Sequence, residues 1–149
     1  MKIMIQTSSA KKGIEVGTFT GYSSLVMAEG LPSDGKLICL DISGEWTDMA
    51  KKYWELGGVL DKCELILGPA VESLDKLLEV ESNLNTFDFS FIDCDKPNYI
   101  HYYDRVIRLL KPNGFIMIDN VLWNGSVYEE DTDPIDKNCV ALRAIAKHV

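Results

Sequence analysis

Residues Lys11–Gly21 read KKGIEVGTFTG, an apolar strand with Glu15 near its end that runs into a turn bracketed by two glycines. The same arrangement returns in Phe87–Lys96, FDFSFIDCDK, and in Phe115–Asn120, FIMIDN. In each stretch, an acidic residue stands where an apolar strand passes into a turn. Ligands of open parallel sheets bind in the crevice beyond the carboxyl ends of the strands. The sequence therefore predicts that these acidic side chains face one shared pocket.

Strand and helix patterns alternate along the chain. The most regular helical stripe starts after Glu45, and its aromatic residues Trp46, Tyr53 and Trp54 are expected in the core. The turn Lys111–Gly114 is expected to end the helix before the last strand. Continuous apolar strands between amphipathic helices predict an α/β fold with a doubly wound, mostly parallel sheet and helices on both faces. The five predicted strands are Ile14–Val16, Leu37–Leu40, Leu65–Leu67, Phe87–Ile92 and Phe115–Ile118.

The composition excludes several classes of protein. A length of 149 residues predicts one domain, spanning 1–149. The net charge of −8, the isoelectric point near 4.7 and the lack of a basic stripe disfavour a nucleic-acid partner. No run of 18 apolar residues is present, so no membrane-spanning segment is expected. The four cysteines form no CxxC pair, which favours a reduced, cytoplasmic protein.

The first turn indicates the kind of ligand. Its glycines, Gly17 and Gly21, have the spacing GxxxG, whereas dinucleotide-binding proteins have GxGxxG. Glu15 would also repel a pyrophosphate. A ligand that lacks phosphate and carries some positive charge fits this turn better, and a plain strand-to-helix turn is the alternative.

Asp41 indicates a nucleoside. It ends the second predicted strand at roughly 20 residues from the first turn, where an acid commonly hydrogen-bonds ribose hydroxyls. The alternative is a solvated acid at a strand end. After the third strand, the small residues of Gly68–Val71 leave room for a flat ring, although such residues also suit a loop and a helix start.

Hard oxygen ligands follow the fourth and fifth strands. Asp93, Asp119 and Asn120 supply two carboxylates and an amide oxygen, which suit Mg²⁺ or Ca²⁺. The alternative is that Asp119 and Asn120 only cap a turn. Cys94 lacks a neighbouring histidine base, which disfavours a thiol nucleophile. The acidic run Glu129, Glu130, Asp131 and Asp133 lacks calcium-loop spacing and is expected to form a solvated loop.

With these motifs in order, the chain closely resembles the cation-dependent class I O-methyltransferases typified by caffeoyl-CoA and catechol O-methyltransferases. The similar stretches cover nearly all of positions 10–146 in the family's order. They are KKGIEVGTFTGYSSLVMA, LDISGEWTDMAKKYWELGG, LILGPAVESLDKLL, FDFSFIDCDKPNYIHYYDRVIRLLKPNGFIMIDNVLWNG and VALRAI. The resemblance implies a Rossmann-like fold with S-adenosylmethionine (SAM) as cofactor.

The resemblance also implies roles for individual residues. Ser23 would reach the methionine carboxylate of SAM, Asp41 would hold the ribose and Ala70 would lie beside the adenine. Lys96 would stand beside the reacting hydroxyl and act with Asp93 in catalysis. Glu15, Gly17 and Thr18 would line the methionine and sulfonium end of SAM, with Asp93 close to its amino group. Asp93, Asp119 and Asn120 would bind the metal, and Trp123 and Asn124 would flank the acceptor.

The chain departs from the family pattern at its ends. The family carries a helical segment before the first strand and two further strands after the last helix, so the domain is expected to be incomplete at both ends. Within the motifs, Cys94 replaces a commoner small residue and Ser43 a commoner acid. Members of the family are often homodimers, so a homodimer is one implied assembly.

These observations lead to a functional hypothesis. The chain is expected to transfer a methyl group from SAM to one hydroxyl of a vicinal aromatic diol, such as a catechol, with Mg²⁺ as the divalent cation and Ca²⁺ or Mn²⁺ as alternatives. A SAM-binding module without transfer activity is the second hypothesis. An NAD-dependent oxidoreductase is disfavoured by the GxxxG turn. A nucleobase methyltransferase is disfavoured because DCDK replaces the Asn/Asp-Pro-Pro-aromatic motif.

Overall fold

A computed structural model describes residues 1–129 and 136–149 of the protein. The residues Glu130, Asp131 and Asp133 of the predicted acidic loop lie outside the described residues, and Glu129 is exposed. The strands are β1 (Lys12–Val16), β2 (Lys36–Asp41), β3 (Cys63–Leu67), β4 (Phe87–Ile92) and β5 (Leu110–Ile118). The helices are α1 (Lys2–Thr7), α2 (Tyr22–Gly30), α3 (Gly44–Leu56), α4 (Ala70–Glu79), α5 (Tyr99–Leu109) and α6 (Lys137–His148).

The five strands pair in the order β3-β2-β1-β4-β5, and every pairing is parallel. The predicted α/β fold is therefore confirmed. The chain moves outward from β1 to β3 and then returns to place β4 on the other side of β1. This reversal makes the β1–β4 boundary the topological switch point, where open α/β sheets bind their ligands. Among the described residues, no strand follows β5.

Helices cover both faces of the sheet. On one face, α4, α5 and α6 bury residues such as Leu74, Val106 and Leu142 against the sheet. On the other face, α1, α2 and α3 bury residues such as Met27 and Trp54. Strands that are apolar on both sides are therefore covered on both sides, as their continuous apolar runs predict. No helix of the described residues is both long and apolar enough to cross a membrane.

Two expectations about α3 and β5 need correction. Trp54 is 1% exposed, but Trp46 and Tyr53 are 38% and 52% exposed, because the apolar stripe of α3 is wider than the sheet surface it covers. The turn Lys111–Gly114 does not end the preceding helix, which stops at Leu109. The turn lies inside β5 as an irregularity of the pairing with β4, with Leu110 opposite Phe87 before it and Phe115 opposite Phe89 after it.

Candidate functional site

The ends of four strands stand level with one another at the carboxyl edge of the sheet. Val16 is the register partner of both Leu40 and Ile92, and Ile92 is the partner of Ile118. The residues that follow these positions continue the ladder: the backbone N–H of Gly17, Asp93 and Asp119 each donates to the neighbouring strand, at N–O distances of 3.0, 2.9 and 3.0 Å. The geometry therefore gathers Asp41, Gly17, Asp93 and Asp119 in one row across the switch point.

Gly17 is required by the close approach of two strands. Its φ is +95°, and a Cβ built on it would lie 2.2 Å from the carbonyl oxygen of Asp93. A side chain at position 17 would therefore displace the β4 end that carries Asp93. The absence of a Cβ thus lets the first turn and the end of β4 come together at the centre of the row.

Asp41 holds the first turn in place. Its Oδ2 accepts hydrogen bonds from the backbone N–H of Thr18 (2.9 Å) and Phe19 (2.7 Å), and its Oδ1 accepts from Ser43 N (2.8 Å). An ionised carboxylate has about four acceptor positions, so one remains for a ligand hydroxyl. The alternative that Asp41 is only a solvated acid does not describe this geometry, because the side chain organises the loop of the neighbouring strand.

Three adjoining cavities occupy the carboxyl edge. The first, of about 400 Å³, is lined by Asp41, Ala70 and Gly17 among others. The second, of about 360 Å³, shares Gly17 with the first and is also lined by Thr18, Ser23, Asp93 and Asp119. The third, of about 390 Å³, shares Asp119 with the second and is also lined by Asn120, Trp123 and Asn124. The structure thus distributes most of the predicted ribose, methionine, metal and acceptor residues along a groove of three cavities that share lining residues.

Glu15 is fully buried and is hydrogen-bonded to Ser23, which lines the second cavity. Its Oε1 is hydrogen-bonded to the Ser23 hydroxyl at 2.6 Å, whereas Oε2 has no partner among the described residues. Burial raises the pKa of Glu15 to about 7, and the hydrogen bond from Ser23 opposes this rise. A carboxyl group in this environment is close to half-protonated at neutral pH.

Lys96 forms an ion pair with Asp93, at 2.9 Å between Nζ and Oδ1. Lys96 is 8% exposed, and its Nζ also lies 4.9 Å from the ring centroid of Tyr99. Burial raises the pKa of Cys94 to about 12, in agreement with the expectation that this thiol is not a nucleophile. The ion pair therefore fixes the Lys96 ammonium group beside Asp93 at this strand end.

The segment after β5 adopts an unusual backbone. Asn120, Trp123 and Asn124 have φ values of +58°, +43° and +55°. The indole Nε1 of Trp123 donates to Asp136 Oδ2 at 2.7 Å, and Asp136 Oδ1 accepts from the first backbone N–H groups of α6. Asp136 therefore connects the acceptor-side cavity to the last helix. This role was not predicted from the sequence, although an Asp before an apolar helical pattern is a known N-cap signal.

The donor set suits a hard cation but is small. Asp93 and Asp119 line one cavity, and Asn120 joins Asp119 in the next. Within residues 1–129 and 136–149, no group of three His, Cys, Asp or Glu side chains has the geometry to hold a metal ion. A metal at this place would therefore be coordinated by two carboxylates and the Asn120 amide oxygen, with water or substrate completing the coordination shell. Mg²⁺ is usually bound in this way.

Tyr102 and Asp95 also line the first cavity, and the sequence analysis did not single them out. The Tyr102 hydroxyl donates to Asp95 Oδ1 at 2.6 Å, and burial raises the pKa of Tyr102 well above its usual value. Asp95 lies in a loop and Tyr102 lies in α5, so their spacing of seven residues gives no periodic signal in the sequence.

At the exposed side of the first turn, the rings of Phe19 and Trp46 pack with centroids 4.9 Å apart.

The parallel doubly wound sheet, with its acid-lined groove at the switch point, places the protein in the Rossmann-like α/β class. The chain belongs to the O-methyltransferase family, since the family model of that description matches residues 1–149.

Relatives and solved structures agree with this assignment. Caffeoyl-CoA O-methyltransferase 1 from Zea mays is 42% identical over 137 residues, which are 92% of this chain and 53% of that protein. The O-methyltransferase TomG from Streptomyces achromogenes, solved in complex with SAM, superposes with a TM-score of 0.90 at 27% identity over 99% of this chain and 64% of that one. The O-methyltransferase from Bacillus cereus, solved in complex with SAH, has a TM-score of 0.88 at 30% identity over 99% and 66%. The chain thus spans about half the length of the first of these relatives.

Proposed function

We propose that residues 1–149 form a SAM-dependent O-methyltransferase domain that methylates one hydroxyl of a catechol-like small molecule with the help of a divalent cation. The observation that carries the proposal is this groove, in which Gly17 and Asp119 each line two cavities. Such a groove offers adjoining places for a nucleoside, a charged reacting centre and an acceptor. The name of the Zea mays relative and the SAM and SAH complexes of the structural neighbours support the same activity.

The cofactor site fits SAM in its donor set. Asp41 and Ala70 would hold the ribose and adenine in the first cavity, while Glu15, Gly17, Thr18, Ser23 and Asp93 would surround the methionine end. Gly17 lines both the first and the second cavity, and the fully buried carboxyl of Glu15 has an oxygen without a partner among the described residues. When bound, SAM supplies the methyl group from its sulfonium. The residues of the chain position SAM and the acceptor relative to each other and supply charged groups around them.

Asp93, Asp119 and Asn120 would hold the cation, with Mg²⁺ preferred and Ca²⁺ or Mn²⁺ as alternatives. A divalent cation bound there would lower the pKa of a coordinated hydroxyl and orient it. Lys96, fixed by Asp93 at 2.9 Å, would take the hydroxyl proton or stabilise the phenolate, and Trp123 and Asn124 would flank the acceptor ring.

The metal role is tested by Asp119→Ala. Turnover of a catechol with SAM and Mg²⁺ should fall on the order of 100-fold. SAM binding measured by calorimetry should stay within about threefold, because Asp119 lines the second and third cavities but not the first, which would hold the nucleoside. The matched control is Asp48→Ala, an exposed acid of α3. Undiminished turnover in Asp119→Ala, or of the unmodified protein in EDTA, would refute the metal role.

A second candidate function is a SAM-binding module without transfer activity. It is favoured by the exposure of Asp119, Asn120 and Asn124, because a transfer site normally excludes water. The two candidates differ in one measurement. Metal-dependent methylation of a catechol by this chain supports the enzyme, whereas SAM binding without methylation supports the module.

The proposal includes the setting of the protein. The four cysteines are all free thiols, in keeping with a reduced cytoplasm. Large exposed side chains such as Tyr22 (75%) and Tyr53 (52%) provide apolar surface for a homodimer. Sedimentation at two protein concentrations would test the dimer.

A further inference from the structure

The proposed function places Glu15 near the methionine end of SAM but does not assign the protonation state of its buried carboxyl group. Glu15 is 0% exposed in the middle of the sheet, between its register partners Cys39 of β2 and Phe91 of β4. Its Oε1 lies 2.6 Å from Ser23 Oγ, and its Oε2 has no partner within the described residues. Burying a carboxylate oxygen without a donor is costly, and burying the corresponding oxygen of a neutral acid costs much less. The geometry therefore suits a protonated Glu15.

The neighbours of Glu15 supply no compensating charge. The hydroxyls of Thr18 and Ser24 and the thiol of Cys39 lie closest to it, and each donates to a backbone carbonyl. Burial raises the pKa of Cys39 well above its usual value, so this thiol remains uncharged, and Cys63 of β3 lies beside it. Phe91 is the partner from β4. Ser23 is thus the polar group that is hydrogen-bonded to Glu15 and also lines the second cavity.

We infer that protonated Glu15 is a positioning residue for SAM: it donates its hydrogen to Ser23 Oγ and thereby turns the Ser23 hydroxyl hydrogen toward the carboxylate of the cofactor. The inference rests on the proposed function. A serine hydroxyl has a single hydrogen. When Glu15 is ionised, Ser23 must give that hydrogen to Glu15 Oε1 and presents lone pairs to the ligand carboxylate instead. The protonation of Glu15 therefore decides whether Ser23 attracts or repels the ligand.

Binding of SAM is then linked to one proton. The carboxyl group is half-ionised at a pH of about 7. One pH unit higher, roughly one-tenth of the protein retains the proton, so the affinity for SAM falls roughly tenfold. The same linkage requires the protein to take up close to one proton when SAM binds at pH 8.

The test compares the unmodified protein with Glu15→Gln by calorimetry with SAM at pH 6 and pH 8. The Gln amide donates to Ser23 at every pH. The ratio of the two Kd values, unmodified to variant, should be near 1 at pH 6 and roughly 10 at pH 8, and this ratio cancels the titration of the ligand's own amino group. At pH 8, heats in two buffers of different ionisation enthalpy should show about one more proton taken up by the unmodified protein. A ratio that stays constant, or proton release by the unmodified protein relative to the variant, overturns the inference.

Two controls separate this relay from other effects. 5′-Methylthioadenosine lacks the carboxylate, so its Kd for the unmodified protein should be the same at pH 6 and pH 8. In a Ser23→Ala background, the tenfold effect of Glu15→Gln at pH 8 should shrink to about twofold. A persistent tenfold effect there would mean that Glu15 acts through its charge alone, which overturns the relay. The exposed substitution Glu79→Gln should leave all these ratios unchanged.

The outcomes also distinguish the inference from the proposed function. An unmodified protein that binds SAM with a pH-independent ratio to Glu15→Gln overturns the inference alone. An unmodified protein that binds SAM at neither pH overturns the proposed function, and the inference falls with it.

Discussion

Glu15 and Asp41 show how the surroundings of a single carboxyl group decide what it does. Asp41 is half-buried and satisfied by three backbone N–H groups, so it fixes the loop that follows the neighbouring strand. Glu15 is fully buried, and among the described residues its one hydrogen-bonding partner is the hydroxyl of Ser23. The first residue organises the site, whereas the second stays sensitive to the proton concentration. Sequence reasoning located both residues, but the partners that separate their behaviour depend on the folded backbone.

The raised pKa of Glu15 also predicts a pH-dependent stability. The pKa is about 7 in the folded protein and 4.5 for an unperturbed glutamate, so the folded state holds the proton more tightly. The stability that Glu15 contributes is therefore fully present below pH 4.5 and is lost as the pH rises through 7. Glu15→Gln has no such loss. Its free energy of unfolding relative to the unmodified protein should rise by about 3 kcal/mol between pH 4.5 and pH 8, as measured by urea denaturation.

The exposed Glu79→Gln serves as the control for this stability prediction, and its difference from the unmodified protein should not vary with pH. Parallel pH profiles for Glu15→Gln and the unmodified protein would show that Glu15 is ionised in the fold.

At the scale of elements, the sequence predicts the strands better than the segments that connect them. The strands are predictable because continuous apolar runs such as Phe87–Ile92 must be covered on both sides. The prediction for the turn Lys111–Gly114 was wrong, because its Pro and Gly indicate a break in the backbone. They do not indicate that β5 resumes the same pairing with β4 beyond the turn. The three left-handed residues between Asn120 and Asn124 were missed for a related reason, since tertiary contacts such as the one from Trp123 to Asp136 hold that loop.

Asp136→Ala should loosen both α6 and the loop that carries Trp123. The substitution removes the N-cap of α6 and the acceptor for the Trp123 indole. We expect the melting temperature to fall by about 2–4 °C. Asp136→Asn is the matched control, because an Asn side chain also caps helices and keeps an acceptor oxygen. Equal melting temperatures for Asp136→Ala and Asp136→Asn would contradict this role.

At the scale of the whole molecule, the two edges of the sheet have different tasks. The carboxyl edge carries the acid-lined groove, whereas at the amino edge Asp88 links neighbouring strands through hydrogen bonds and an ion pair. This residue accepts from the backbone N–H of Lys11 and Lys12 at 2.8 Å each, and it pairs with Lys111 in the irregular part of β5. One side chain of β4 thus joins the entry to β1 with β5, which keeps the strand ends level at the opposite edge.

Asp88→Asn should therefore weaken the fold at neutral pH. Burial disfavours the ionised form of Asp88, but the hydrogen bonds from Lys111, Lys11 and Lys12 outweigh it and lower the pKa of Asp88 below its usual value. This contribution is present above the unfolded pKa of 3.8 and is lost as the pH falls through the folded pKa. We expect a loss of about 1–2 kcal/mol at pH 7 that disappears in acid, measured by urea unfolding. Asp34→Asn, which breaks an exposed pair with Lys11, should cost much less.

Neighbouring cavities of the groove share single lining residues, Gly17 and Asp119. This layout bears on how the protein family diversifies. In the third cavity, Val121, Leu122, Trp123 and Asn124 line neither of the other two; among the described residues, the third cavity shares Asp119 with the second and no residue with the first. Under the proposed assignment, replacing that tetrapeptide alters what is methylated and leaves the donor's binding surface untouched. Substitutions at these four consecutive positions can then change the methyl acceptor during evolution, while the methyl-transfer chemistry stays the same.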